Sequence, residues 1–254
     1  MSNEITISSI IIAKNEEYNI KNCIESQLEC IDEIIVFVDS KSSDKTKEIA
    51  ESYAKVNCRV AQWEGYAKTK QNAVDIATND WIFWIDADET ITPELSAEIV
   101  KFKKEYNNEV VFDVARRAYF LGRWIKHSGW YPGRVERLFN RKYVKFSENN
   151  VHEYLVHSGK VGHLKNDINH FTDPSISHYF EKFNRYTTLA SIDLKEKKKS
   201  FKLTDIILRP IFIFVKMYIF KLGFLDGVQG FILAVFSSAY VFTKYSKLWE
   251  LKER

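Results

Sequence analysis

The chain of 254 residues is poor in cysteine, and its three cysteines, Cys23, Cys30 and Cys58, form no C-x-x-C pair. An odd count at such spacings excludes a disulfide framework and a cysteine zinc site, and points to a reducing compartment. Four prolines and nine glycines exclude collagen-like and Pro-rich disordered chains. No uninterrupted apolar run reaches the roughly 18 residues of an ordinary membrane span. The polar start MSNEITISS is not the pattern of a secretory leader, so a cytoplasmic location is expected. No G-x-G-x-x-G follows the first apolar run, where Lys14-Asn15-Glu16 stands, which disfavours a dehydrogenase-type dinucleotide site.

Charge of one sign is also scarce overall, at +3. The balance is uneven along the chain, however. Residues 1–180 hold 23 Lys and Arg against 27 Asp and Glu, whereas residues 181–254 hold 14 against 7. The two parts should meet different partners. The basic excess lies in apolar helical sequence, not in a polar basic stripe, so no nucleic-acid partner is expected.

What the chain has is alternation. Apolar, β-branched runs at Ile5–Ala13, Ile34–Asp39, Arg59–Trp63, Trp81–Asp86 and Val110–Tyr119 are predicted strands. Glu17–Leu28, Asp44–Lys55, Tyr66–Ala77 and Pro93–Tyr106 are predicted helices, the last capped by Thr92 with Pro93 at its first position. This spacing predicts βαβ units, an α/β class and a mainly parallel sheet. Residues 121–173 lose periodicity, and all six histidines (His127, His152, His157, His163, His170 and His178) fall between residues 127 and 178. From Pro174 the chain reads as helices to about Lys199, over Leu203–Leu222 and over Asp226–Leu251, with Pro210 expected to bend the second.

Ligands of such sheets sit beyond the carboxyl ends of the strands. Those ends read Ala13-Lys14-Asn15-Glu16, Asp39-Ser40-Lys41-Ser42-Ser43-Asp44 and Asp86-Ala87-Asp88-Glu89. Asp86 and Asp88 place two carboxylates close together, and like charges there repel unless a cation intervenes. Oxygen donors of this kind suit Mg2+ or Mn2+. The plainer alternative is a polar loop that caps the next helix.

The D-x-D is not isolated. The segments IIIAKNEEYNI, IIVFVDSKSSDKTKEIA, WEGYAKTKQNAVDIA and WIFWIDADE resemble the nucleotide-diphospho-sugar domain of family-2 inverting glycosyltransferases. FLGRWIKHSGWYPGRVERLFNR, VHEYLV and the FLDGVQG…KYSKLWEL tail extend the likeness to the branch with lipopolysaccharide-core β-glucosyltransferases. The chain departs from that pattern at Lys41, where glycine is common.

The resemblance implies a GT-A fold, a catalytic domain over 1–173 (a nucleotide-binding half at 1–90, an acceptor half at 91–173) and a helical region at 174–254. It implies a UDP-sugar donor and a divalent metal cofactor. Asp39 would bond the uracil edge, with Ala13, Asn15 and Glu16 near uridine and Lys70 near the diphosphate. Asp86 would face ribose or metal, and Asp88 would bind the ion directly. Arg137, or less favourably Arg134, matches an arginine near the diphosphate. Trp130 and Tyr131 would belong to an acceptor loop. Glu153 matches the catalytic base, and His170, with His152 as runner-up, matches a further metal ligand.

The expected function is therefore metal-dependent, inverting transfer of a hexose, glucose first, to a lipid-linked glycan such as the lipopolysaccharide inner core. The alternatives are transfer to a peptide or protein side chain, or a non-catalytic nucleotide-sugar-binding scaffold. The presence together of Asp86, Asp88, Arg137 and Glu153 favours an enzyme. Val228–Phe242 is only 15 residues long, short of a span, so residues 197–247 are expected to lie against the inner face of the membrane. Packing against another subunit is the other reading of the same helices.

Overall fold

The computed structural model describes residues 4–106, 109–147 and 154–253. The chain begins with β1 (Ile7–Ala13), α1 (Ile20–Glu25), β2 (Glu33–Asp39), α2 (Thr46–Glu51), β3 (Val56–Ala61) and α3 (Tyr66–Asp75). It continues through β4 (Trp81–Trp84), β5 (Glu89–Ile91), α4 (Pro93–Lys104), β6 (Val111–Phe120), β7 (Arg123–Trp124) and β8 (Gly133–Asn140). Two short strands follow, β9 (Lys145–Phe146) and β10 (Leu155–Val156), and then the long β11 (Val161–Asp173). The remainder is α5 (Ile176–Glu196), α6 (Leu203–Val215), a π-helical turn at Lys216–Phe220, a 3-10 turn at Gly223–Asp226 and α7 (Gly227–Glu253).

The main sheet runs β3-β2-β1-β4-β8-β6-β11-β5, with β7 beside β6, while β9 and β10 form a separate ribbon. β1 pairs in parallel with both β2 and β4, and β2 with β3, which is the expected βαβ half. Beyond β4 the sheet is mixed: β8 is antiparallel to β4, and β5 to β11. Successive residues of β1 and β2 feed two cores. Ile11 and Ile34 join one with Phe83, Leu95 and Leu138, and Ile10 and Ile35 join the other with Ile82 and Phe139. Burial on both faces explains why these strands are apolar throughout instead of alternating.

Several boundaries differ from the sequence expectation. The third strand lies at Val56–Ala61, not Arg59–Trp63, because it is a half-exposed edge with little alternation to fix its ends. The first two helices are only six residues each, starting at Ile20 and Thr46. Among the described residues the aperiodic stretch contains five strands, one of them the thirteen-residue β11, whose lysine, asparagine and aspartate residues hide the period. The predicted start of α4 holds: Thr92 Oγ1 accepts the Leu95 N–H at 3.2 Å, ahead of Pro93.

The fold divides into two units. The first comprises residues 1–116 and 134–170, and the second 117–133 and 171–254, so residues 117–133 group with the C-terminal helices. Within the second unit the backbone N–H groups of Lys126 and His127 donate to the Asp226 carboxylate at 3.2 and 2.9 Å. A Cβ on Gly230 would lie 2.0 Å from the Gly223 carbonyl oxygen, so the start of α7 closes on the preceding turn only with glycine. Helix α7 is continuous for 27 residues, longer than its apolar run. By length and composition Gly223–Glu253 is apolar enough to cross a membrane, although no uninterrupted apolar span was expected there.

Candidate active site

Three strand ends of the first unit meet at one edge. β2, β1 and β4 are parallel neighbours, so Asp39, the residues after Ala13, and Asp86 all emerge at their carboxyl ends. Ala13 is buried and is the register partner of Val38. Asn15 adopts φ 55°, a left-handed conformation that asparagine tolerates. Its N–H donates to Ser42 Oγ and its Oδ1 accepts the Ser43 N–H, each at 2.8 Å. The Glu16 N–H donates to Thr46 Oγ1 at 2.7 Å. These bonds tie the first strand-end loop to the second. Asp39 is buried, accepts the Lys41 N–H at 2.9 Å and has the Lys14 ammonium 3.4 Å away. Lys41 keeps a negative φ, so the turn does not demand the glycine common there.

At the end of β4 the residues Asp86 to Glu89 close a turn. The Glu89 N–H donates to the Asp86 carbonyl at 3.0 Å, and the Asp86 N–H donates to Glu89 Oε2 at 3.1 Å. Lys70 Nζ approaches Asp86 Oδ1 at 3.4 Å, and Arg137 Nη2 donates to Asp86 Oδ2 at 2.9 Å. Arg137 also bonds both oxygens of Glu89 at 2.6 Å, and both side chains are fully buried. Both cations stack on one indole: Lys70 Nζ lies 3.7 Å and the Arg137 guanidinium 3.6 Å from the Trp84 ring centroid. Desolvated cation–π contacts are worth up to about 2 kcal/mol each. The Trp84 Nε1–H donates to the Glu136 carbonyl at 2.6 Å, which fixes the ring.

Electrostatics follow from this clamp. Burial alone would raise the Asp86 pKa, but Lys70 and Arg137 outweigh it and hold the carboxyl far below its usual range. Glu89 is pushed upward by burial, against the pull of Arg137, with Asp86 and Asp88 adding to the rise. Asp88 faces the other way. The pairing of β5 with β11 sets His170 opposite Glu89, and His170 Nε2 lies 3.5 Å from Asp88 Oδ2. Burial would lower the His170 pKa, yet the hydrogen bond to Asp88 and the charges of Asp88 and Glu89 raise it. Among the described residues no three His, Cys, Asp or Glu side chains converge, so Asp88 and His170 are a pair of donors, not a closed cage. Asp86 has a cation at each oxygen, which leaves Asp88 the freer carboxylate.

The family model described as Glycosyl transferase family 2 matches residues 8–165. The chain belongs to glycosyl transferase family 2. The lipopolysaccharide core biosynthesis glycosyltransferase LpsC of Rhizobium meliloti is 29% identical over 97% of this chain and 93% of its own length. An uncharacterized glycosyltransferase of Rickettsia felis is 33% identical over 97% of this chain and 89% of its own. Among solved structures, the mannosyltransferase PcManGT from Pyrobaculum calidifontis, in complex with GDP-Man and Mn2+, superposes with a TM-score of 0.55. It covers 96% of this chain and 86% of its own at 12% identity, a likeness of fold, and that fold is GT-A.

In this family-2 glycosyltransferase the structure brings Lys70 and Arg137 onto Asp86 and pairs Asp88 with His170, while Asp39 lies at the end of β2, with β1 between β2 and β4. Arg137 is buried against two carboxylates, whereas the sequence pointed to a diphosphate contact. Arg134 instead bonds Asp113 at 2.7 Å and the Leu164 carbonyl. Trp130 and Tyr131 belong to the second unit, where Trp130 packs with Phe120 and Tyr131 meets Trp124 edge-on. Glu153 and His152 lie outside the described residues. Sequence reasoning missed Trp84, Glu89, Lys14 and Cys23, whose thiol donates to the Asp86 carbonyl at 3.6 Å. Glu89 alone carried a signal, as the third acid of D-A-D-E.

Proposed function

We propose that this glycosyltransferase moves a hexosyl group, glucose first, from a UDP-sugar to a lipid-linked glycan such as the lipopolysaccharide inner core, with inversion. The observation that carries the reading is the Asp88–His170 pair, 3.5 Å apart and each about one-fifth exposed, at the end of β4. One carboxylate oxygen and one imidazole nitrogen suit Mn2+ or Mg2+, whose other positions suit diphosphate oxygens and water. A bound divalent ion supplies Lewis-acid stabilisation of the leaving diphosphate. Asp39 accepts a hydrogen bond from the uracil edge. Lys70 and Arg137 fix Asp86 so that it faces the ribose without rotating away. Transfer with inversion needs one base for the acceptor hydroxyl, and Glu153 of the V-H-E segment is the residue we assign to it. The likeness to LpsC supports the acceptor class.

The second unit supports a membrane-surface location over residues 197–247. α6 exposes Leu203, Ile207, Leu208, Ile211 and Phe212 along one face, while Phe220 is 72% and Val228 70% exposed. Lysines 197–199 add roughly 1 kcal/mol each against anionic headgroups. Flotation with acidic vesicles tests this. A chain that stays soluble but self-associates would assign the same faces to another subunit.

The deciding experiment for the reaction is a donor screen. UDP-glucose, UDP-galactose, UDP-N-acetylhexosamines and GDP-mannose are compared, with and without Mn2+ or Mg2+, by release of nucleotide in the presence of a lipid-linked core glycan. Metal-dependent release from a UDP-hexose, with an inverted anomeric signal in the product, supports the reading. Release from GDP-mannose alone overturns the donor assignment. Transfer to peptides but not to the glycan favours the side-chain alternative, and donor binding without any turnover favours the scaffold.

A further inference from the structure

The second unit contains a cavity of about 370 Å3 lined by none of the residues assigned above to glycosyl transfer. Its walls are one face of α5 (Tyr179, Lys182, Phe183 and Tyr186, at i, i+3, i+4 and i+7) and one face of α7 (Ser237, Tyr240 and Val241), with Ile213 of α6. The size falls within the range of built ligand pockets, and the lining is predominantly aromatic and aliphatic. Polar groups gather at one end. There the Lys182 ammonium donates to the Thr172 carbonyl at 2.8 Å, and the Asp173 carboxylate is already engaged by His178 at 3.2 Å and by Lys182 at 3.9 Å.

Further cations flank the lining rings. Arg185 lies 5.9 Å from the Tyr186 ring centroid, and Lys244 lies 6.0 Å from that of Tyr240. The unit as a whole has 17 Lys and Arg against 8 Asp and Glu. An apolar cleft with a cationic surround matches an amphiphile that has a hydrocarbon tail and an anionic head. We propose that this cleft binds one acyl chain of an anionic lipid, with the headgroup phosphate at Lys182. Burial of the chain supplies affinity, and the cations supply headgroup selectivity. This is a discrete site, distinct from non-specific adhesion of the exposed helix faces, and it is independent of the donor reaction.

The test is calorimetric titration of the full chain with 1-myristoyl-lysophosphatidylglycerol below its micelle concentration. The phosphatidylcholine analogue serves as the zwitterionic comparison. One saturable site per chain, at least tenfold tighter for the glycerol headgroup, is expected. Ser237→Leu, which fills the cleft, should weaken binding at least tenfold with unchanged circular dichroism. Val241→Phe makes the same test should the first variant misfold. Lys182→Gln should weaken both analogues and narrow the headgroup preference, because the phosphatidylglycerol analogue loses more than the phosphatidylcholine analogue, whose choline already neutralises its phosphate. Unsaturable binding, or undiminished affinity in a folded filled-cleft variant, would overturn the site. Equal affinity for the two headgroups would overturn its anionic ligand. None of these readouts involves the donor, so their failure leaves the transferase reading intact.

Discussion

Replacing Arg137 by methionine removes a guanidinium that is fully buried and bonded to Glu89 through both oxygens, and to Asp86. Glu89 is then a buried carboxylate left with Arg116, 4.0 Å away, in place of its bonded guanidinium, and breaking such a buried pair costs about 3–5 kcal/mol. In a chain of this size each kcal/mol lowers Tm by about 2–4 °C, so a fall of roughly 6–20 °C is expected. The Nε and Nη1 atoms of Arg137 are buried without a hydrogen-bond partner among the described residues, so the native pair is itself under-satisfied. A second replacement, Glu89→Leu, should therefore restore most of the lost stability, because an apolar pair of similar volume is often neutral or better. Thermal and urea unfolding of the four proteins of this double-mutant cycle measure it, with UDP affinity recorded on each. An Arg137→Met protein of native Tm but weakened UDP binding would refute the buried-clamp account and restore the direct diphosphate contact.

His170 makes a pH prediction. Its pKa is raised above 6.5, so the Asp88 pair stabilises the metal-free fold fully below the unfolded value and loses that contribution as pH rises through the folded one. A metal ligand must be neutral, so Mn2+ affinity should climb through the same window. Imidazole NMR titration and metal calorimetry check both, and a flat affinity profile would remove His170 from the site. Glu153→Gln should keep donor binding and lose transfer by at least a hundredfold, measured as nucleotide release with acceptor present. Gly230→Ala forces a Cβ into the Gly223 carbonyl and should destabilise the second unit by about 1–3 kcal/mol, read from chemical denaturation.

The strand ends were legible in the sequence because β1, β2 and β4 lie in the parallel half of the sheet, where apolar runs stop at the ligand edge. The candidates Asp39, Asp86 and Asp88 came from those stops, and His170 from the family likeness. What stayed hidden depends on pairings between distant segments. The burial of Arg137 follows from the antiparallel register of β8 on β4, which sets Leu138 against Phe83 and carries the guanidinium onto Trp84. No local pattern around R-V-E-R distinguishes that from a surface arginine. β5 is three residues long, too short to show any period, yet its pairing with β11 is what delivers His170 to Asp88. The last helix, by contrast, was legible: it was expected over Asp226–Leu251 and runs over Gly227–Glu253.

On the proposed function, the end of β4 would bind a nucleotide diphosphate through a divalent ion held by Asp88 and His170. Calorimetric titration of UDP into the full chain, with and without Mn2+, and into Asp88→Asn, tests it most directly. Affinity at least tenfold higher with Mn2+, and loss of that gain in the variant, are expected. Equal UDP affinity with and without the metal, or a variant that keeps the full Mn2+ gain, would contradict it.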